Sequence, residues 1–325
     1  MKEIVILALN GVFDSSLSIT LNALSSAQRI HQVYCDGVVA TQVTTCSPHG
    51  LKLKTGEGLS FEVHKSLEQV SSADLVIVPG LGIEDSLSLE QLFASQGAHK
   101  AIAFLQSMHQ QGAILTASCS ATFLLAEAGI LDGHSVTTSW WLSETFRARY
   151  PQLTLQTDQM VVSGKQFICA GAAMAQADLM MIVIASIYGE QTAKLTADYL
   201  LIDQRHLQSQ YIHSSIVARL NPLIAEAELW VRNNLKNNFS INDLASVLGV
   251  STRTLARRFI EATGEPAVKF IQRIRVEYVI HYLETSHKSF EEIASHVGYQ
   301  DVSSLRRVLY QITGKTPRQL RAFKP

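Results

Sequence analysis

One cysteine stands where its side chain could do chemistry. Ala113-Ile-Leu-Thr-Ala117 is a short apolar run of the buried-strand kind, and Ala117-Ser-Cys119-Ser-Ala121 leads from it into the helical pattern Thr122-Phe-Leu-Leu-Ala-Glu-Ala-Gly129. Cys119 therefore falls at a strand-to-helix turn between small residues. Such a turn needs small neighbours, and it sets the side chain near a helix N-terminus, where backbone N–H groups and the helix dipole lower a thiol pKa. A nucleophilic thiol is the chemistry this allows. A lone cysteine is, against that, more often a packed core residue. Cys35, Cys46 and Cys169 lie far apart, with no C-x-x-C pair and no zinc spacing, so no metal or other cofactor is expected and the usage fits a reducing compartment.

The second set of chemical residues is arginine-rich and repeats. Ser240-Ile-Asn-Asp-Leu-Ala-Ser-Val-Leu-Gly-Val250 matches Ser289-Phe-Glu-Glu-Ile-Ala-Ser-His-Val-Gly-Tyr299 at a constant offset of 49. Each copy opens with an N-cap serine followed three residues on by Asp243 or Glu292, a capping box. Each then reaches Gly249 or Gly298, where a tight turn is easiest. A second helix follows, from Ser251 or Asp301, ending before Gly264 or Gly314 with Pro266 or Pro317 beyond. One inserted residue in the second turn moves the later offset to 50, so that Leu255 matches Leu305 and Arg257 matches Arg307. This is helix-turn-helix organisation, twice, joined by a long helix over about 266–284. In such units the second helix reads DNA. Arg253 and Arg257 lie on one side of the first reading helix, and Val302, Ser303, Arg306 and Arg307 hold the corresponding places in the second. Arginine can take guanine O6 and N7, serine is less selective, and valine can meet a thymine methyl. The same arginines could clamp phosphates alone. Lys269, Arg273 and Arg275 on the joining helix are better suited to phosphate or structural contacts.

The rest of the chain must position these residues. Apolar runs at 4–9, 38–46, 74–80 and 113–117 alternate with helical patterns at about 18–33 and 87–110, which favours a parallel sheet covered on both faces. Ligands of such sheets sit at the carboxyl ends of strands. The fold class expected is a doubly wound, flavodoxin-like α/β domain over residues 1–208, a linker over 209–228, and an all-α domain with two helix-turn-helix motifs over 229–325. Asn221-Pro222 disfavours a continuous helix in the linker. His206 and His213 are seven apart there and lack a third ligand for a metal. The apolar stretch 170–188 contains Gln176 and Asp178 and reads as a buried helix, not a membrane span. Met1-Lys2-Glu3 is no secretory signal, so the protein is expected in the cytoplasm. With 325 residues, 47% of them apolar, the chain can bury a core and is not disordered. Its net charge of -1 hides an asymmetry: from Pro222 on there are 15 basic against 10 acidic residues, and before it 12 against 18. A basic rear suits a polyanionic partner.

Two resemblances follow. Asp74-Leu-Val-Ile-Val-Pro-Gly-Leu-Gly82, Cys119 with Phe123-Leu-Leu-Ala126, and Gly129-Ile-Leu-Asp-Gly133 with Val136-Thr-Thr138 resemble the PfpI/ThiJ-type domain of the class I glutamine amidotransferase-like fold, in the variety found in GlxA-type regulators. The resemblance covers about 1–189. It implies an elbow Cys working with a His after the Thr-Thr pair and an acidic residue on the first helix. This chain departs twice: Ser139, followed by Trp140-Trp141, stands at the His position, and the acidic position falls near Asn22. A thiol needs a base or cation to become a useful nucleophile. His134, five residues earlier, is a poor substitute. The reading is a non-catalytic pocket, with Asn22, Cys119, Ser139 and Trp140 as lining candidates, reused for sensing or dimerisation. The Trp pair could meet a cation, or serve as core or interface aromatics. The second resemblance, over about 229–325, is to the AraC/XylS-type DNA-binding domain. It rests on Arg253-Thr-Leu255 with Arg257 and Phe259, Ile274-Arg275, Ile293-Ala294 with Val297-Gly-Tyr299, and Thr313-Gly-Lys-Thr-Pro317 with Arg321. Val279 and Leu309 depart from it only in packing. Together they imply a transcriptional regulator that binds double-stranded DNA as a homodimer, with an unidentified small-molecule effector and RNA polymerase as further partners. The alternative is a thiol-dependent amidohydrolase or glyoxalase-like enzyme fused to a DNA-binding domain.

Overall fold

Residues Ile4 to Leu9 are buried without a break, as a strand covered on both faces must be. The computed structural model describes residues 1–35, 39–203, 205, 208, 211, 221–263 and 265–321. It divides into two compact units, residues 1–208 and 209–325. In chain order the front unit holds β1 (Lys2–Leu7), α1 (Asp14–Tyr34), β2 (Thr41–Ser47), the hairpin β3 (Lys52–Lys54) and β4 (Ser60–Glu62), β5 (Lys65–Ser66), β6 (Leu75–Val78), α2 (Ser86–Ala94), α3 (Gln96–Gln110), β7 (Ile114–Ser118), α4 (Thr122–Glu127), β8 (Ser135–Val136), α5 (Ser143–Arg149), β9 (Thr154–Leu155), β10 (Val161–Ser163), β11 (Phe167–Ala170), α6 (Gln176–Tyr188) and α7 (Glu190–Tyr199).

The main sheet has the order β10-β11-β7-β6-β1-β2-β5. It is parallel except for β10, which pairs antiparallel with β11 at the edge. From β1 the chain moves one way to β2 and later the other way from β6 to β7. Right-handed crossovers in opposite directions put their helices on opposite faces, so the sheet is doubly wound. The apolar side of α6 (Leu179, Met180, Val183, Ile184, Ile187) is buried in the same cluster as the strands. Among the described residues no helix is long and apolar enough to cross a membrane.

The elements of this unit differ from the sequence expectations in three places, the first being that α1 begins at Asp14 and not near Ser18. The helix expected over 87–110 breaks at Ser95, whose N–H closes α2 on the Leu92 carbonyl while its hydroxyl caps α3 at Ala98. The second strand starts at Thr41; residues 36–38 lie outside the described residues.

The rear unit is helical: Pro222–Asn233, Ile241–Val247, Thr252–Thr263, Ala267–Thr285, Phe290–His296, Val302–Thr313 and Pro317–Arg321. Both capping boxes form, Ser240 with Asp243 and Ser289 with Glu292. The repeat is also one of burial: Leu244 and Ile293, Leu255 and Leu305, and Phe259 and Leu309 are all 0% exposed. Phe259 packs edge-on to Phe270 near the start of the helix Ala267–Thr285, whereas Val276, Val279 and Leu283 further along it join the core of the second motif. The departures Val279 and Leu309 thus lie in that core, where side-chain volume is what matters. The linker expected over 209–228 is shorter at its far end. Asn221 caps Leu223 N–H, Pro222 takes the first helical turn, and Ile224, Ala227 and Val231 bury one face of the resulting helix. His206, His213 and Gly264 lie outside the described residues.

Candidate functional site

The elbow is built by groups far apart in sequence. β7 and β11 run in parallel register to their ends, with Ser118 opposite Ala170. Cys119 then turns at φ +55, a backbone region that non-glycine residues seldom occupy. Two hydrogen bonds hold it there. Its N–H donates to the Gly171 carbonyl at 2.7 Å, and its carbonyl accepts from the Thr138 hydroxyl at 2.7 Å. Gly80, just past β6, closes the other side. A Cβ on Gly80 would lie 3.0 Å from the Cys119 Cβ and 3.2 Å from the Ser16 hydroxyl.

The thiol is not what its turn suggests. Cys119 is 0% exposed, and burial pushes its pKa up, which outweighs the hydroxyls of Ser139 and Ser120 beside it. Its Sγ lies 3.5 Å from the Ser139 Oγ. Ser139, itself buried, thus occupies the place of a base without being one. The expected lowering of the thiol pKa is corrected accordingly: desolvation dominates, and α4 is a helix of only six residues.

Asn22 is a second correction. It is exposed on α1, while Ser16 and Thr20 are buried on the opposite side of the same helix. The α1 residue that reaches the elbow is Ser16, whose hydroxyl donates to the Ala173 carbonyl at 3.3 Å. Trp140 is half-buried and stands edge-on to Trp141, ring centroids 5.5 Å apart at 87°. Trp141 packs against the core. His134 is exposed and pairs with the Phe167 ring, centroids 5.2 Å apart. Gln208 was not foreseen. It is buried, and its carboxamide donates to the Thr138 carbonyl, one residue from Cys119 by hydrogen bonding.

On the rear unit, Arg253 and Arg257 are exposed on the first reading helix, and Ser303, Arg306 and Arg307 on the second. Arg257 pairs with Glu261 at 3.3 Å, and the Arg306 guanidinium lies 5.5 Å over the Phe290 ring. Asp301 caps the second helix, accepting from the N–H groups of Ser303 and Ser304. Val302 is half-buried against the second core, which leaves less of it to meet a base. Of the joining-helix residues, Lys269 is exposed, Arg273 is buried in an ion pair with Glu265 at 2.6 Å, and Arg275 lies over the rings of Phe239 and Tyr299. Arg273 and Arg275 are therefore structural.

Residues 2–186 match the model of the DJ-1/PfpI family, more than half of the chain. The chain belongs to the DJ-1/PfpI family. Behind the DJ-1/PfpI domain, residues 244–322 match a helix-turn-helix domain model, which runs from within the first helix of the first motif through the whole of the second. The HTH-type transcriptional regulator GbdR of Pseudomonas aeruginosa is 22% identical over 287 residues, 86% of this chain and 75% of the relative. The HTH-type transcriptional regulator GlxA of Rhizobium meliloti is 24% identical over 231 residues, 67% of this chain and 68% of the relative. The crystal structure of Drosophila melanogaster DJ-1beta superposes with a TM-score of 0.52 at 18% identity, covering 62% of this chain and 99% of that one, which shows the fold of the DJ-1/PfpI domain. A DJ-1/PfpI domain followed by an AraC-type helix-turn-helix domain makes this chain a DNA-binding transcriptional regulator.

Proposed function

We propose that the DJ-1/PfpI domain senses a small molecule at the Cys119 elbow without turning it over, and that it holds the regulator as a homodimer in the cytoplasm. The rear unit reads two adjacent major-groove segments, one with Arg253 and Arg257, the other with Ser303, Arg306 and Arg307. The observation that carries this reading is the division of each reading helix. Its apolar side is fully buried at Leu255 and Phe259, or Leu305 and Leu309, while its arginines are exposed. The elbow supports sensing over turnover: a buried, protonated thiol facing a serine has neither base nor solvent access for hydrolysis. With 15 basic against 10 acidic residues, one rear unit has modest attraction for DNA, and a second copy on a repeated half-site raises affinity through effective concentration. RNA polymerase is the partner through which a bound regulator acts on transcription.

The test is footprinting of the full chain on fragments of the promoter it controls. Two adjacent protected major-groove segments per copy are expected, and protection without sequence preference refutes the reading. Light scattering at micromolar concentration is expected to give a dimer; a monomer with and without DNA removes that part.

A further inference from the structure

The recess that Gln208 fills is made by residues that also hold the elbow. Its Nε2 donates to the Thr137 hydroxyl at 3.1 Å and to the Thr138 carbonyl at 3.2 Å, and its Oε1 accepts from the Ala172 N–H at 3.3 Å. The residue is 2% exposed. Two neighbours of this carboxamide touch Cys119 as well. The Thr138 hydroxyl donates to the Cys119 carbonyl, and the Gly171 carbonyl accepts the Cys119 N–H. Gly171 owes its lack of a side chain to the same packing, because a Cβ there would collide with the carboxamide of Gln208. Three residues earlier, Arg205 is fastened to Asp178 at 2.6 Å and to the Met174 carbonyl at 2.8 Å. These anchors precede the point at which the chain passes to the DNA-binding unit.

The three contacts define a ligand chemistry. All the partners are uncharged: a hydroxyl, a carbonyl acceptor and an N–H donor. A carboxylate in this place would set an acceptor against the Thr138 carbonyl. An ammonium or guanidinium would set a donor against the Ala172 N–H. A planar group with NH₂ on one side and C=O on the other satisfies all three. Gln208 supplies that group from within the chain, at the carboxyl ends of β7 and β11, where sheets of this kind take ligands.

We infer that this recess is the effector subsite, that it takes a small molecule bearing a primary carboxamide or ureido group, and that the ligand enters by replacing the Gln208 carboxamide. The inference rests on the sensor reading above. A tethered glutamine competes at high effective concentration, so weak carboxamides are excluded from the wild-type recess and admitted once the glutamine is gone.

The experiment uses the full chain with Cys35→Ser, which leaves three buried thiols, and follows modification of Cys119 by a small neutral disulfide, with peptide mapping to assign the site. Gln208→Ala is expected to speed trapping of Cys119 by about tenfold, because Thr138, which holds the Cys119 carbonyl, and Ala172, next to Gly171, lose the carboxamide that ties them together. Acetamide is expected to slow the trapping again, and acetate at equal concentration to leave it fast. Gly171→Ala, which expels Gln208 but keeps it in the chain, is expected to speed trapping in the same way. An unchanged rate in both variants, or protection by acetate as good as that by acetamide, overturns the inference. The sensor reading fails differently: it is refuted if no small molecule raises the melting temperature of the wild-type protein or alters transcription from its promoter.

Discussion

Replacing Cys119 by serine separates a thiol that reacts from a thiol that only fills space. The substitution leaves the φ of +55 and both backbone hydrogen bonds to Gly171 and Thr138 in place, since none involves the sulfur. It exchanges a weak 3.5 Å contact with Ser139 for a hydroxyl that must be satisfied in a fully buried site. Hydroxyl partners are at hand in Ser139 and Ser120, so the cost is that of an ordinary buried exchange, about 1 kcal/mol. For a unit of this size that lowers the melting temperature by about 2–4 °C. Cys119→Trp differs in kind. Gly80 already lies against the Cys119 Cβ, so the indole has no open cavity to enter, and overpacking costs roughly 1–3 kcal/mol or more. The bulky variant is therefore expected to unsettle the whole DJ-1/PfpI domain as well as its ligand response. Thermal melts of the full chain, read beside a promoter-reporter assay, distinguish the cases. Cys119→Ser is expected to keep both DNA binding and effector response. If it abolishes the response while the melting temperature moves by no more than the amount above, thiol chemistry operates here and the sensor account is wrong.

Arg253→Ala and Arg306→Ala are each expected to weaken specific binding by about 1–3 kcal/mol and to relax preference at one base pair, measured by footprinting a set of operator variants; a uniform loss on every sequence makes them phosphate contacts. Acid titration probes the helix caps. Hydrogen bonds from Ser304 and Ser303 hold Asp301 below the usual carboxylate range, and those from Ser289 and Ser240 do the same for Glu292 and Asp243. A carboxylate depressed in the folded state adds stability that is full above its unfolded pKa and is lost as pH falls through the folded one. The urea midpoint of the rear unit should therefore be flat near neutrality and fall in acid, and Asp301→Asn should lessen the fall. An acid limb identical in wild type and variant would remove Asp301 from the account.

What could be read from the sequence was whatever is local. Unbroken apolar runs marked the central strands, and paired Ser and Asp or Glu three residues apart marked the capped helices of the rear unit. The error at Asn22 came with the resemblance, whose acidic position falls at a residue that the structure leaves exposed on α1. Phe13 precedes α1 with no side-chain cap, and the helix begins at Asp14, four residues before the start expected at Ser18, so Ser16 lies outside the expected helix. Burial of Cys119 was not legible because Gly80, Thr138 and Gly171 impose it from other strands and loops. Gln208 lies 70 residues from the carbonyl it bonds, and no pattern within a window reaches that far. The shortest strands, such as β8 and β9 with two residues each, are defined by their partners and not by their own composition.

The duplicated framework of the rear unit has a consequence for the DNA it meets. At the offset of 50, the buried positions agree in character, and so do the hydroxyls of Thr263 and Thr313, each of which closes its helix on the carbonyl four residues back. The exposed positions do not agree: Arg253 corresponds to Ser303, Ala256 to Arg306 and Ile260 to Tyr310, and only Arg257 and Arg307 are alike. Two copies of one scaffold therefore carry two different vocabularies. On the proposed reading, a single rear unit meets unlike base sequences in a fixed order, which gives it a head and a tail along the duplex. Inverting one such half-site in place is then expected to reverse the unit bound to it.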